Sequence, residues 1–472
     1  MKIALDKPFT HGRSLSVPAP DTPPLEALGF KFPGSNSSKS TLELPQTPVT
    51  PPPEYQEHSF LHNDRAVDVA PEVGPDDQPL VAVVGVGYVG THLVDSFSAH
   101  YDVLGFDVSE GRISEARKEL PGERIRFTTC RADLREATHF LISVPTLLKA
   151  DKSIDTSYLR SAIATVAQHA RPGSTVVIES SVAVGMTRGL LGPVALSRGF
   201  YAGMSPERVD PGRVEPPCRA IPKIVSGLDD GGVPGSLASI VRLYGRVFDR
   251  LVPVSRTEVA EMTKLYENCQ RMMCVAFANE MADACLPHGI DPYEVAAAAA
   301  TKPFGYTPFA PSLGVGGHCI PVNPYYLLSN SAFPLLEAAA EKMAARPAAI
   351  ARRAIASLTT RDAGAGAAPA ALLRPRVLVV GVGFKAGQSV LSNSPGVDLV
   401  HALVRSGEVD VMFADPLVRQ NAVPSAPRLA DENWNRKTLE TFDMIIVSFR
   451  QRGLDFGVLE ELRGVRVEMW CA

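Results

Sequence analysis

One cysteine in this chain stands where a nucleophile would. Cys319 follows His318 near the end of a stretch, Thr301 to Tyr326, that is rich in glycine, proline and aromatic residues. Gly314, Gly316 and Gly317 permit sharp turns and close approach of backbone to a ligand. Pro321 and Pro324 stiffen the exit. A reactive thiolate needs access and neighbouring positive charge; an ordinary surface thiol is the competing reading. Lys264 and Asn268 lie four residues apart in a long helical pattern, so they share a face. They form either a solvated face or a cation and an amide aimed together at a developing oxyanion. Polar residues at expected strand ends complete the set: Thr146 after THFLISVP, Glu179 in STVVIESSV, and Glu207 with Arg208 in the loop MSPERVDPG.

A second group points to a dinucleotide. Gly85, Gly87 and Gly90 form a GxGxxG between a buried strand, LVAVV, and a helical pattern carrying Leu93, Val94 and Phe97 on one side. The next strand pattern, YDVLGFD, ends at Asp107, 17 residues past Gly90 and close to the ~20 expected of an acid that binds the adenosine ribose hydroxyls. Gly85 makes the turn, Gly87 admits the pyrophosphate, Gly90 lets helix and strand pack, and the helix N-terminus carries the anion. Asp107 repels a 2′-phosphate, so the expected cofactor is NAD rather than NADP.

These residues need a scaffold, and the order of elements supplies one. Strand and helix patterns alternate from Pro79 to about residue 254, which predicts a doubly wound parallel sheet with ligands at the carboxyl ends of its strands. A long helix follows, from about Thr257 to His288, with a capping box at Ser255 and Glu258. Its apolar stripe, Val259, Met262, Leu265, Cys269, Met272 and Met273, is read as core or as a dimer seam. Another helix runs from about Pro334 to Leu358, then an Ala/Gly-rich linker. RVLVVGVGFK repeats the strand-to-glycine pattern with Gly381 and Gly383 but runs on through Lys385 without a third glycine, and Asp415 ends a further strand. The expected fold is α/β: two Rossmann-like doubly wound parallel-sheet domains joined by a long central helix. The expected divisions are a disordered Pro-rich tail over 1–78, a first Rossmann domain over 79–254, a helical middle with the cysteine loop over 255–362, and a second Rossmann-like domain over 363–472.

Composition narrows the function. The chain has 472 residues, 45% hydrophobic, with a net charge of −4. That gives no electrostatic footprint for nucleic acid or an anionic membrane. Seven scattered cysteines show no CxxC or Cys/His spacing for zinc, and an odd count without a framework fits free thiols in a reducing compartment. No apolar run is long enough for a signal-peptide core or a membrane span, so a cytoplasmic protein is expected.

Together the motifs VGVGYVG (84–90), SVPT (143–146), VVIESSVAVGMTR (176–188), SPERVDPG (205–212), AEMTKLYENCQR (260–271), ATKPFGYTPFAPSLGVGGHCIPVNPYYL (300–327) and VLVVGVGFK (377–385) resemble the UDP-glucose/GDP-mannose dehydrogenases, the nucleotide-sugar 6-dehydrogenases. The cysteine loop looks most like the UDP-N-acetylhexosamine branch. The resemblance implies a four-electron oxidation of a sugar C6 alcohol by NAD through a thiohemiacetal and a thioester on Cys319. It implies that Lys264 and Asn268 stabilise the oxyanion, with Lys264 also a candidate base, and that Thr146 and Glu179 position water, with Glu179 as hydrolytic base. NAD would be held by Gly85, Gly87, Tyr88, Val89, Gly90, Asp107 and Arg112. The UDP-sugar would be held by Glu207, Arg208, Phe304, Phe309, Gly316, Asn323 and Lys385. A homodimer or larger homo-oligomer built on the central helix is also implied. Three positions depart from the family pattern: Asn323 stands where an aspartate is usual, Ser392 where an arginine is usual, and Leu147 where a proline is usual. The first puts thioester hydrolysis in question and keeps open a catalytically impaired partner subunit. A two-electron hydroxy-acid or hydroxyacyl dehydrogenase on the same N-terminal fold is a further alternative, disfavoured by the cysteine loop and the second Rossmann-like region.

Overall fold

The computed structural model describes residues 79–210, 213, 215–362 and 374–471. The tail expected over 1–78 and the linker before Arg374 lie outside the described residues. The first sheet contains β1 (Leu80–Val84), β2 (Asp102–Phe106), β3 (Ile125–Thr128) and β4 (His139–Ile142). A small hairpin, β5 (Leu147–Leu148) with β6 (Ile154–Asp155), leaves the sheet before β7 (Thr175–Ile178), β8 (Tyr201–Met204), β9 (Lys223–Gly227) and β10 (Leu251–Pro253) continue it. The spatial order is β3-β2-β1-β4-β7-β8-β9-β10.

Period-2 alternation in short apolar runs explains the layering. Val81 and Val83 of β1 pack with α1 (Tyr88–Ser98), α2 (Glu110–Glu119) and the later helix at Ser236–Tyr244, through Phe97, Ile113 and Ile240. Ala82 and Val84 face the other side, against α3 (Ser157–His169) and α4 (Met186–Arg198), through Ile163 and Leu191. The helix at Ser236–Tyr244 is α5.

The expected doubly wound parallel arrangement holds for six strands, and one edge departs from it. β8 pairs β9 antiparallel, and β10 is parallel to β9, so the last two strands oppose the other six. The cause is the connection: between Met204 and Lys223 the described residues contain one short 3-10 turn, Cys218–Ala220, and no crossover helix. A parallel return needs such a crossover.

The middle of the chain is built on α6 (Thr257–Cys285), whose last turn tightens to a 3-10 segment, Leu286–His288, closed by Gly289 at φ +64°. α7 (Pro292–Ala299), α8 (Asn323–Leu328) and α9 (Pro334–Asp362) follow. The capping box expected at Ser255 does not form: no side chain caps α6, and Glu258 instead takes the Arg188 guanidinium at 2.5 Å. One turn on, the buried Glu261 caps α4, accepting from Gly185 N at 2.5 Å and Thr187 N at 2.8 Å. The expected apolar stripe divides in two. Leu265, Cys269 and Met272 are buried against α8 and α9, whereas Val259 and Met262 join exposed Tyr266, Phe277 and Met281 on an outward face. Among the described residues no helix is long and apolar enough to cross a membrane.

The second sheet has β11 (Arg376–Val380), β12 (Asp410–Ala414), β13 (Met444–Val447) and β14 (Arg466–Met469), all parallel, in the order β12-β11-β13-β14. α10 (Pro395–Ser406) and α9 cover one face, and α11 (Arg436–Leu439) lies on the other.

Candidate active site

The glycine fingerprint sits where the order of the first sheet reverses, at the carboxyl ends of β1 and β4. Gly85 has φ +93°, and a side chain there would stand 2.8 Å from the Ser143 carbonyl oxygen. A Cβ on Gly90 would stand 1.9 Å from the Gly85 carbonyl oxygen, so α1 can meet β1 only through a glycine. Gly87 is the opposite case: a Cβ there meets nothing within 4 Å. That open space lies at the N-terminus of α1, which has no side-chain cap and no acid in its first turn. These features fit a pyrophosphate. At the end of β2, half-buried Asp107 accepts from Val86 N at 3.1 Å and Ser109 N at 3.0 Å, beside the same loop. Arg112 braces the loop from α2, donating to the Val86 carbonyl at 2.6 Å and the Thr91 hydroxyl at 2.9 Å, and pairing with Glu119. Tyr88 is exposed and Val89 half-buried at the start of α1. The residues present therefore fit NAD.

The cysteine loop is fixed from two sides. Gly317, at φ +91°, donates its N–H to Ser392 O at 3.0 Å, and Asn393 Nδ2 donates to Gly317 O at 2.9 Å. A Cβ on Gly316 would stand 2.9 Å from Pro395 Cδ and 3.0 Å from Asn393 O. Residues after β11 thus clamp the turn that delivers Cys319. Past the cysteine, Asn323 N donates to the Cys319 carbonyl at 2.9 Å and opens α8. Buried Asn323 then accepts from Asn268 Nδ2. The pair expected on α6 is inside the protein, since Lys264 and Asn268 are both buried.

Charge around Cys319 comes from three groups on two elements, α6 and the loop after β8. Burial pushes its thiol up, the Lys264 ammonium pulls it down, and Asp210 and Glu207 push it up again; the net direction is upward. The residue is nonetheless exposed to solvent. Dense protein on most sides and one open side describe the floor of a cleft. Half-buried Thr146 is three residues beyond Ser143, and its hydroxyl lies beside the Tyr326 phenol, which burial pushes up to about 12 and which also feels Cys319. One short segment therefore runs from the glycine loop to the cysteine.

The two acids separate. Glu179 is fully buried; Lys223 Nζ reaches its Oε2 at 2.6 Å and the Tyr244 hydroxyl donates to its Oε1. Both oxygens are engaged and none faces solvent, so the water-positioning role expected of Glu179 does not fit. Glu207 is the acid that faces the cysteine. Its Oε1 accepts from Arg208 N at 2.6 Å and Val209 N at 2.7 Å, while its buried Oε2 has no hydrogen-bond partner. Burial pushes the Glu207 carboxyl up, but Lys223, those two N–H groups and Lys264 outweigh it and hold it below the usual range. Tyr326 and Lys223 were not singled out from the sequence, where each reads as an ordinary strand or helix residue.

The remaining expected substrate residues make other contacts. Arg208 is committed to the Pro222 carbonyl at 2.7 Å and to Glu267 of α6 at 2.6 Å. Phe304 stands in solvent with Lys302 over its ring, and Phe309 is half-buried. Lys385 meets Asp210 at 3.2 Å, linking the loop after β8 to the loop after β11.

The second sheet carries a modified copy of the fingerprint. The third glycine is Gly396, in the first turn of α10, where a Cβ would stand 2.6 Å from the Gly381 carbonyl oxygen, as Gly90 does to Gly85. The intervening residues 384–393 form the clamp on the cysteine loop. Asp415 repeats the place of Asp107, accepting from Val382 N at 3.0 Å, but it is fully buried and bonded to Gln451 Nε2 at 3.0 Å. The acid that would read a ribose is closed in, so this sheet is not a second open dinucleotide site.

Fold and site together define an NAD-dependent oxidoreductase. Family models for the NAD-binding domain and the central domain of the UDP-glucose/GDP-mannose dehydrogenases match residues 80–247 and 258–342, more than half the chain, and the chain belongs to that family. It is 33% identical over 375 residues to the UDP-N-acetyl-D-glucosamine 6-dehydrogenase of Pseudomonas aeruginosa, covering 72% of this chain and 83% of that one. It is 33% identical over 368 residues to the UDP-N-acetyl-D-mannosamine dehydrogenase of Pyrococcus horikoshii, covering 72% and 84%. The solved UDP-D-ManNAc dehydrogenase of Pyrococcus horikoshii superposes with a TM-score of 0.70 at 27% identity, covering 83% of this chain and 99% of that one.

Proposed function

We propose that this chain oxidises the C6 alcohol of a UDP-sugar, a UDP-N-acetylhexosamine or UDP-glucose, to the uronate, in nucleotide-sugar or polysaccharide biosynthesis. The observation that carries the reading is the convergence on solvent-open Cys319 of one buried cation, Lys264, and one buried acid whose Oε2 accepts no hydrogen bond, Glu207. NAD held at Gly87 and Asp107 supplies the hydride acceptor for each of the two oxidations.

The chain's own residues do the rest. The alcohol gives its proton to solvent at the open side of the site and then its hydride to the cofactor, while Lys264 steadies the alkoxide between. The Cys319 thiolate adds to the aldehyde, and Lys264 with Asn268 holds the oxyanion of the thiohemiacetal. Loss of a second hydride leaves a thioester. Glu207 takes a proton from water as the new C–O bond forms, and the C–S bond breaks to release the carboxylate. Thr146 and Tyr326 border the place of reaction. We take residues 79–254 as the NAD-binding half and 363–472 as the UDP-sugar half, with the sugar nucleotide between them near Lys385, Phe309 and Gly316. The exposed face of α6, with Val259, Met262, Tyr266, Phe277 and Met281, suits a homodimer seam; a cytoplasmic enzyme fits the free thiols.

One observation favours a second reading, a catalytically impaired partner subunit. Asn323 gives the site an amide–amide bond with Asn268 where a carboxylate would carry charge. Incubation with UDP-glucose, UDP-N-acetylglucosamine, UDP-N-acetylmannosamine and GDP-mannose, read by NADH absorbance, tests both. Turnover of a UDP-sugar supports the enzyme. Tight binding of every sugar with no NADH from any supports the partner subunit.

A further inference from the structure

Behind Glu207 lies a buried polar cluster that the reaction as written does not use. Lys223, the first residue of β9, is 3% exposed, and its ammonium sits between two acids. It is 2.6 Å from Glu179 Oε2, 3.6 Å from Glu207 Oε2 and 3.3 Å from the Pro206 carbonyl, with the Phe248 ring beneath it at 5.5 Å. Tyr244, fully buried on α5, donates to the other oxygen of Glu179. A buried ion pair gains little over an apolar pair of similar volume, so packing alone gives this cluster no reason to exist. Its front edge is Glu207 Oε2, buried and without a hydrogen bond.

We propose that Lys223 is a positioning residue for hydrolysis: fixed by Glu179 and Tyr244, it keeps Glu207 ionised with Oε2 free to receive a proton. This rests on the reading of Glu207 as the hydrolytic base. Six groups face that carboxylate: Lys223 from β9, Lys264 from α6, Glu179 from the end of β7, Tyr244 from α5, Cys218 from the turn before β9, and Cys319. Only the two lysines favour its charge. Lys264 is also committed to the oxyanion, so Lys223 carries the standing charge that Glu207 sees through the cycle. In the step itself water loses one proton to Glu207 Oε2 as its oxygen bonds to the thioester carbon. The C–S bond breaks, and sulfur leaves with the electron pair and takes that proton back as the thiol, which restores the carboxylate.

The test removes the cluster without stranding a charge. Lys223→Met/Glu179→Leu/Tyr244→Phe leaves net charge unchanged and no unpaired charge behind Glu207; the Pro206 carbonyl alone loses a donor. The expected variant folds and binds NAD as the wild type does. Its steady-state rate loses its acid limb about 1–3 pH units higher, the range for losing an opposite charge at this distance. At pH 6 thioester on Cys319 accumulates, read by intact-protein mass. The single variant Glu179→Gln keeps the ammonium and removes its competitor, so its acid limb moves down; this arm stands if the triple variant does not fold. The same shifts are read without turnover by infrared titration, as the acid C=O band that Glu207→Gln abolishes. An acid limb and a C=O titration that stay at the wild-type pH in both variants overturn the proposal. Variants that show the infrared shifts, with a wild type that makes no NADH from any nucleotide sugar, leave Lys223 in place and sink the functional reading instead.

Discussion

Gly87→Ala separates cofactor binding from folding. Gly87 has φ −67° and ψ −162°, which alanine adopts without strain, and its Cβ would meet nothing within 4 Å. The free protein is therefore expected to keep its stability, or to gain up to about 1 kcal/mol from a less disordered unfolded chain. The methyl group enters the space assigned to the pyrophosphate. An overpacked contact costs about 1–3 kcal/mol, and 1.4 kcal/mol is about tenfold in affinity, so NAD binding should weaken by about 5- to 150-fold. Gly90→Ala is the control with the opposite signature. Its Cβ would stand 1.9 Å from a backbone oxygen, so α1 must lift from β1 and the melting temperature must fall. Calorimetric titration with NAD and a thermal melt of each variant read both quantities. A Gly87→Ala protein that is stable and binds NAD as tightly as the wild type refutes the placement of the cofactor.

Lys264→Met should move the alkylation of Cys319 by iodoacetamide to higher pH, by about 1–3 units, because its ammonium is the group that pulls the thiol down. Asn323→Asp, which returns a carboxylate beside Asn268, should raise the steady-state rate and lower the fraction of enzyme carried as thioester, read by intact mass; a slower variant contradicts the role given to that position. His139, pushed down to about 4 by burial and by Arg242, favours its neutral form in the fold. Its folded value lies below the unfolded 6.5, so stability is intact above pH 6.5, falls as the unfolded chain takes up a proton, and levels off below about 4. The part of the loss reached by pH 4.5 is on the order of 2–3 kcal/mol, seen by denaturant titration at pH 7 and pH 4.5 and reduced in His139→Gln.

The parts legible in the sequence are those whose signal is local. Gly85, Gly87, Gly90 and Asp107 are tied together by one turn and two adjacent strands, so spacing alone exposes them. Lys264 and Asn268 share a face because any helix puts them there. What failed depends on contacts distant in sequence. Glu179 and Glu207 both end strands; which of them faces Cys319 is decided by Lys223 and Tyr244, which arrive from β9 and α5 and occupy the first. The reversal of β9 follows from a missing crossover helix, which no residue in β9 announces. Gly396 was invisible as the third glycine because residues 384–393 loop out before it. The division of the α6 stripe could not be read either, since a 29-residue helix with apolar residues on two faces presents one continuous pattern until α8 and α9 choose a side.

The central claim is that one cysteine carries a sugar through two oxidations. The most direct measurement is the number of NADH formed per UDP-sugar consumed, in the wild type and in Cys319→Ser. The account predicts two NADH and one uronate per sugar in the wild type, and no uronate from Cys319→Ser. One NADH with free aldehyde in the wild type, or full turnover to uronate by Cys319→Ser, would contradict it.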